Sequence, residues 1–128
     1  MLDRRIIETS VAAWLAEDVG MGDLTSELVI PAHATGHFQI EARVDLIVAG
    51  MEVALAVFRQ AEPRAVIEVV ARDGERVTRS ATLARVTGPA RGLLTAERTA
   101  LNILQRMSGI ATLTAEYVAR ISHTRARL

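Results

Sequence analysis

The stretch His37-Phe38-Gln39-Ile40-Glu41-Ala42-Arg43-Val44 alternates with a period of two, placing Phe38, Ile40, Ala42 and Val44 on one side and His37, Gln39, Glu41 and Arg43 on the other. Successive side chains of a strand point to opposite faces, so this is the pattern of a strand with one face in a core and one in water. Asp45 interrupts it, residues 46–49 have the composition of a second short strand, and Gly50 opens a helix with Met51, Leu55 and Phe58 on one face, which Pro63 ends. Upstream, Ile6, Ile7, Val11, Trp14 and Leu15 recur at helical spacing until Gly20 and Gly22 stop them. Downstream, residues 65–71 are rich in β-branched side chains, Asp73-Gly74 marks a turn, and residues 82–87 read as a strand closed by Gly88-Pro89. Leu94, Leu101, Leu104 and Met107 return to helical spacing, Ser108-Gly109 is expected to break that helix, and Leu113, Tyr117 and Ile121 form one more stripe. Strands bracketed by helices, with neighbours joined by turns, predict an α+β domain on a mainly antiparallel sheet.

Composition narrows the function. Half of the 128 residues are apolar and 23% are charged, the balance of a globular domain that buries a core of its own. No apolar run reaches the roughly 18–20 residues of a membrane span, and no signal core precedes a cleavage site, so a cytoplasmic protein without membrane partners is expected. There is no cysteine, which excludes disulfides, zinc thiolate sites and thiol nucleophiles. All fifteen basic residues are arginines, so Schiff-base chemistry, a P-loop lysine and a lysine-linked prosthetic group are excluded as well. His33, His37 and His123 are too scattered for a metal site, and a zero net charge with few aromatics lacks the footprint of a nucleic-acid binder.

Three segments together resemble one family. Glu17-Asp18-Val19-Gly20-Met21-Gly22-Asp23-Leu24-Thr25 is similar to the acidic Gly-Asp-Leu-Thr segment after the first helix of quinolinate phosphoribosyltransferases. Asp73-Gly74, Val77, Leu83 and Gly88-Pro89-Ala90-Arg91 lead into Leu93-Leu94-Thr95-Ala96-Glu97-Arg98-Thr99-Ala100-Leu101-Asn102, and Ser108-Gly109-Ile110-Ala111-Thr112 follows. Their order and separation match the family's N-terminal domain over nearly the whole chain, most specifically in residues 93–112. The resemblance implies an α/β-hammerhead-like N-terminal domain over residues 1–122, with residues 123–128 starting the first strand of a truncated C-terminal α/β barrel. The family's Thr-Arg-Lys segment at the end of that strand lies just beyond residue 128. The implied activity is that of a glycosyltransferase: quinolinate and phosphoribosyl pyrophosphate give nicotinate mononucleotide, carbon dioxide and pyrophosphate in de novo NAD biosynthesis. Mg2+ would bind with the phosphoribosyl donor in the barrel, the fragment alone would be inactive, and no catalytic or metal-binding residue is assigned within it. Where family members often carry glycine, this chain has Leu46 and Ser80, so those turns must tolerate a side chain or differ in shape.

Arg98 is the substrate-binding candidate. Quinolinate is a planar dicarboxylate, and a guanidinium offers a planar fork of donors that engages a carboxylate bidentately. A surface ion pair on a helix is the ordinary role of such an arginine. The resemblance implies instead that Arg98 reaches across a homodimer interface to a quinolinate carboxylate in the partner subunit's site. Glu97 is read as a first-turn acid favoured by the helix dipole, Asp23 and Thr25 as turn or capping residues, Asn102 as a buried hydrogen-bonding residue, and Ser108 as part of a helix break with no histidine to activate it. The rival readings are a noncatalytic interaction module, the quinolinate-phosphoribosyltransferase-like protein of molybdate transport operons, and a nicotinate phosphoribosyltransferase. Asp73-Gly74-Glu75-Arg76-Val77 also resembles the strand and turn of biotinyl and lipoyl carriers, which the absence of lysine rules out.

Overall fold

In the computed structural model, which describes residues 2–19 and 30–128, the alternation at residue 37 does form a strand, and its apolar side shares one core with the helices. The elements run α1 (Arg4–Val19), β1 (Thr35–Glu41), β2 (Leu46–Ile47), α2 (Met51–Ala61), β3 (Val66–Val69), β4 (Arg76–Val77), β5 (Thr82–Pro89) and α3 (Ala90–Ile121). One sheet has the order β1-β5-β3 and a second pairs β2 with β4. Every pairing is antiparallel, as expected of the α+β class. Phe38, Val86 and Ile67 lie level across the larger sheet, as do Ile40, Ala84 and Val69. Ile40, Ala84 and Val86 from this side join Val57, Phe58, Leu93, Ala96 and Ala100 in one core. The other side carries His37, Gln39, Arg85 and Glu68 in water. Gly20, Gly22, Asp23 and Thr25 lie outside the described residues.

Helix α2 is held at its start by remote groups. Gly50 precedes it with φ of 89°, and a side chain at Gly50 would strike Met107 of α3. Glycine is therefore required twice, for the left-handed backbone and for the close approach. The Met51 amide donates to Asp73 Oδ1 at 2.8 Å, so the Asp73-Gly74 turn caps a helix 22 residues upstream. At the other end Glu62 is buried, bonded to Arg64 at 2.8 Å, and packed against Gly92 in the first turn of α3. The hydrogen bond from Arg64 holds the Glu62 carboxyl below its ordinary pKa. A carboxylate in that position also faces the positive end of the helix.

Three expectations change. The strand from residue 37 ends at Glu41, because a bulge between Ile40 and Glu41 shifts the register and Asp45 turns back to accept from the Arg79 amide; Val44 is 62% exposed instead of continuing the apolar face. On α1, Ile7 and Val11 are buried but Ile6 and Trp14 lie outside the narrow contact face. The third change is the largest: α3 starts directly after Pro89 and runs 32 residues through Ser108-Gly109 without a break. A lone glycine costs a helix interior only about 1 kcal/mol. Tertiary hydrogen bonds beside it outweigh that cost. Ser108 Oγ accepts from the Ala49 amide at 3.0 Å and donates to the Ala49 carbonyl at 3.2 Å, while Thr112 Oγ1 accepts from the Ile47 amide at 2.9 Å. Residues 46–49 meet β4 along one edge, and the two hydroxyls satisfy the other.

Ser80 adopts φ of 72°. The glycine-type turn is thus kept and the side chain is strained within it. Ser80→Gly should raise the stability measured by thermal or denaturant unfolding, by up to about 1 kcal/mol after the added freedom of the unfolded chain is discounted. Ser108→Ala should lower it by about 1–3 kcal/mol, since it strands the Ala49 amide beneath a helix.

Candidate functional site on helix α3

The buried side of α3 is formed by Leu93, Ala96, Thr99, Ala100, Leu104 and Ser108. Side chains on the opposite side follow from the 3.6-residue turn, and they include Arg98, Asn102, Gln105, Arg106, Gly109 and Leu113. The hydroxyls of Ser108 and Thr112 fix the helix rotation at one point. Near the other end, Thr99 Oγ1 donates to Asp18 Oδ2 at 2.5 Å, tying α3 to the end of α1. Arg98 is the next residue along from Glu97 and points away from that contact into solvent.

The described residues give Arg98 no hydrogen bond and no ion pair, their ion pairs being Arg4–Glu8, Arg64–Glu62 and Arg85–Glu68. An intrahelical salt bridge therefore does not account for it. Arg91, seven residues earlier, is engaged locally: its Nε donates to the Ile30 carbonyl at 2.6 Å.

Two neighbours differ from expectation. Glu97 is half-buried and sits two turns inside the helix, because α3 begins at Ala90, so a first-turn dipole does not explain it. Asn102 is exposed and has no hydrogen-bond partner among the described residues; four residues after Arg98, it shares the outer face and cannot reach the core. It lines an open groove of about 460 Å³ with Gln105, Arg106, Gly109, Ile110 and Leu113. Gln105 and Arg106 were not singled out from the sequence, although their three- and four-residue spacing from Asn102 already places them beside it. Ser108 is consumed in backbone hydrogen bonding, which leaves no nucleophile there. Among the described residues, no group of three or more His, Asp or Glu side chains is placed to hold a metal ion, and no helix is long and apolar enough to cross a membrane.

Residues 23–108 match the family described as quinolinate phosphoribosyl transferase, N-terminal domain. The chain is 37% identical over 117 residues to a probable carboxylating nicotinate-nucleotide pyrophosphorylase of Synechocystis, covering 91% of this chain and 39% of that protein. It is 41% identical over 101 residues to the chloroplastic carboxylating nicotinate-nucleotide pyrophosphorylase of Arabidopsis thaliana, covering 78% and 29%. The fold superposes on the nicotinate-nucleotide pyrophosphorylase of Francisella tularensis with a TM-score of 0.91 at 31% identity, over 99% of this chain and 45% of that one. The chain thus spans less than half the length of each of these proteins.

Because Arg98 is exposed and has no ion pair among the described residues, Arg98→Ala should leave unfolding stability within about 0.5 kcal/mol of the parent. Thr99→Val, one residue away, should cost about 1 kcal/mol by removing the tie to Asp18. Denaturant titrations of the two variants side by side measure the contrast, and a large loss for Arg98→Ala would return the arginine to a structural role.

Proposed function

From the premise that this chain belongs to the quinolinate phosphoribosyl transferase N-terminal domain family, we propose that it is the substrate-contributing and dimerisation domain of a carboxylating nicotinate-nucleotide pyrophosphorylase. The complete enzyme would join quinolinate to phosphoribosyl pyrophosphate, releasing carbon dioxide and pyrophosphate and leaving nicotinate mononucleotide for NAD synthesis. The observation that carries this reading is Arg98, which lies in the matched segment, on a rigid helix, with its guanidinium exposed and without an acceptor among the described residues. A helix that fixes the arginine's direction suits it to meet a planar carboxylate on another surface, and the fork geometry favours bidentate contact.

In this proposal Arg98 enters the site of the partner subunit in a cytoplasmic homodimer. Residues 123–128 lead from α3 toward the first barrel strand, and the barrel supplies the groups that bind the phosphoribosyl donor with Mg2+. The 128-residue chain alone would then bind no donor and turn over no quinolinate.

In an enzyme of the relatives' full length, Arg98→Ala should lower kcat/KM for quinolinate by roughly ten- to more than a hundred-fold, from loss of charged hydrogen bonds worth about 1.5–3 kcal/mol. Arg98→Lys should recover part of the loss, and the phosphoribosyl donor should be affected less. Trans action is tested by mixing this variant with one whose barrel is inactivated. About half the dimers become mixed, each with one intact composite site, so about one quarter of the parent activity should return. Proven subunit exchange with no rescue would reject the trans assignment.

A further inference from the structure

We infer that Thr99 and Asp18 are positioning residues, whose hydrogen bond sets how the Arg98 guanidinium is presented to quinolinate; this rests on the reading above that Arg98 engages a quinolinate carboxylate. Thr99 is 3% exposed on the buried side of α3. A threonine within a helix commonly returns its proton to the carbonyl one turn back, and two others on α3 do so: Thr95 donates to the Arg91 carbonyl at 3.0 Å and Thr112 to the Ser108 carbonyl at 2.7 Å. Thr99 instead donates to Asp18 Oδ2 on α1. The acceptor is as informative as the donor. Glu17 and Asp18 lie in the last turn of α1, which holds no basic residue. A carboxylate there faces the negative end of its own helix and disfavours it. No described cation pairs with Asp18 either, the ion pairs being Arg4–Glu8, Arg64–Glu62 and Arg85–Glu68. What Asp18 does bind is the hydroxyl beside Arg98, through a charge-assisted hydrogen bond.

Helix geometry shows why this bond matters to its neighbour. Thr99 and Ser108 are about two and a half turns apart, so they lie on opposite flanks of the buried face, about 13 Å apart along the axis. Ser108 holds one flank through the Ala49 backbone, and Thr99 holds the other through Asp18. The remaining buried residues of this half, Leu93, Ala96, Ala100 and Leu104, make apolar contacts, which are non-directional and resist rolling less sharply than a hydrogen bond does. A helix held by Ser108 and Thr112 alone can still pivot about their flank. Arg98 precedes Thr99 and is turned from it by about 100°. A pivot that lifts the Thr99 flank therefore moves the root of the Arg98 side chain directly. A shift of about 1 Å in a substrate-positioning group can cost as much as a hundred-fold.

The test is made in an enzyme of the relatives' full length, with quinolinate and the phosphoribosyl donor varied in turn. Thr99→Val keeps the shape and removes the hydroxyl; it should raise KM for quinolinate by roughly ten-fold while kcat and the donor KM stay within about two-fold. Thr99→Ser keeps the hydroxyl and should restore the quinolinate KM to within about two-fold of the parent. Asp18→Ala should match Thr99→Val, and the two together should do no more than either alone, because they remove one bond. In an Arg98→Ala background no guanidinium is left to position, so adding Thr99→Val should lower kcat/KM for quinolinate no further. A bond that serves only the fold would reduce the amount of active enzyme, lowering kcat with both substrates alike and leaving the quinolinate KM unmoved, and that pattern overturns the inference. A Thr99→Val loss as large without Arg98 as with it overturns it too. Should Thr99→Val fail to fold, Asp18→Asn carries the measurement: it keeps an acceptor oxygen without the charge and should raise the quinolinate KM by about three-fold, and an unmoved KM counts against the pair. A quinolinate defect in Arg98→Ala beside a parent-like Thr99→Val overturns this inference alone, whereas an Arg98→Ala enzyme that uses quinolinate as the parent does overturns the reading of Arg98 and this inference with it.

Discussion

Two hydroxyls on α3 close the open edge of a two-stranded sheet, and the orientation of the longest helix follows from them. The amides of Ile47 and Ala49 point away from β4 and, part-buried beneath α3, find their partners on that helix. Ser108 answers both backbone groups of Ala49, and Thr112 answers Ile47 while returning its own proton to the Ser108 carbonyl. A buried amide without a partner costs more than a typical hydrogen bond contributes, so this arrangement penalises any rotation of α3. Turning the helix by a single residue, about 100°, would withdraw both hydroxyls and carry Arg98 toward the position Thr99 holds against Asp18. What places Arg98 on the outside is therefore a contact ten residues away.

The two ends of α2 show how the remaining parts are registered on the same helix. At its start Gly50 admits Met107, and Asp73 reaches over to cap the first turn. At its end Glu62 rests on Gly92, its charge held by Arg64 and by the start of α3. Both contacts use a glycine, because the side chain of Met107 in one case and of Glu62 in the other takes the space a Cβ would need. The turn at Asp73-Gly74, which in a carrier domain would present a lysine, serves here as a cap.

The period-two and helical patterns fixed element types well because they are set by burial on one face. Phe38, Ile40 and the α2 residues Met51, Leu55 and Phe58 turn inward as their spacing requires. The misreadings occur where a distant partner decides. Ser108-Gly109 reads locally as a break, and nothing near it in the sequence announces that Ala49 will bond to the serine. Val44 fits the strand alternation, yet a bulge and the Asp45 cap take it out of the sheet. Glu97 and Asn102 were misplaced for a related reason: their roles depend on where α3 starts and which way it faces, and Pro89 starts it one turn earlier than the apolar spacing suggests. Ser80 is the opposite case. A side chain at a glycine position does signal strain, and the backbone there is left-handed as that departure implies.

Helix α3 is longer than the core it packs against. At 1.5 Å per residue its 32 residues extend about 48 Å, and the buried residues all lie in its first nineteen. The last turns carry Leu113, Tyr117 and Val118 into solvent, although helices in water draw most of their stability from a packed apolar face.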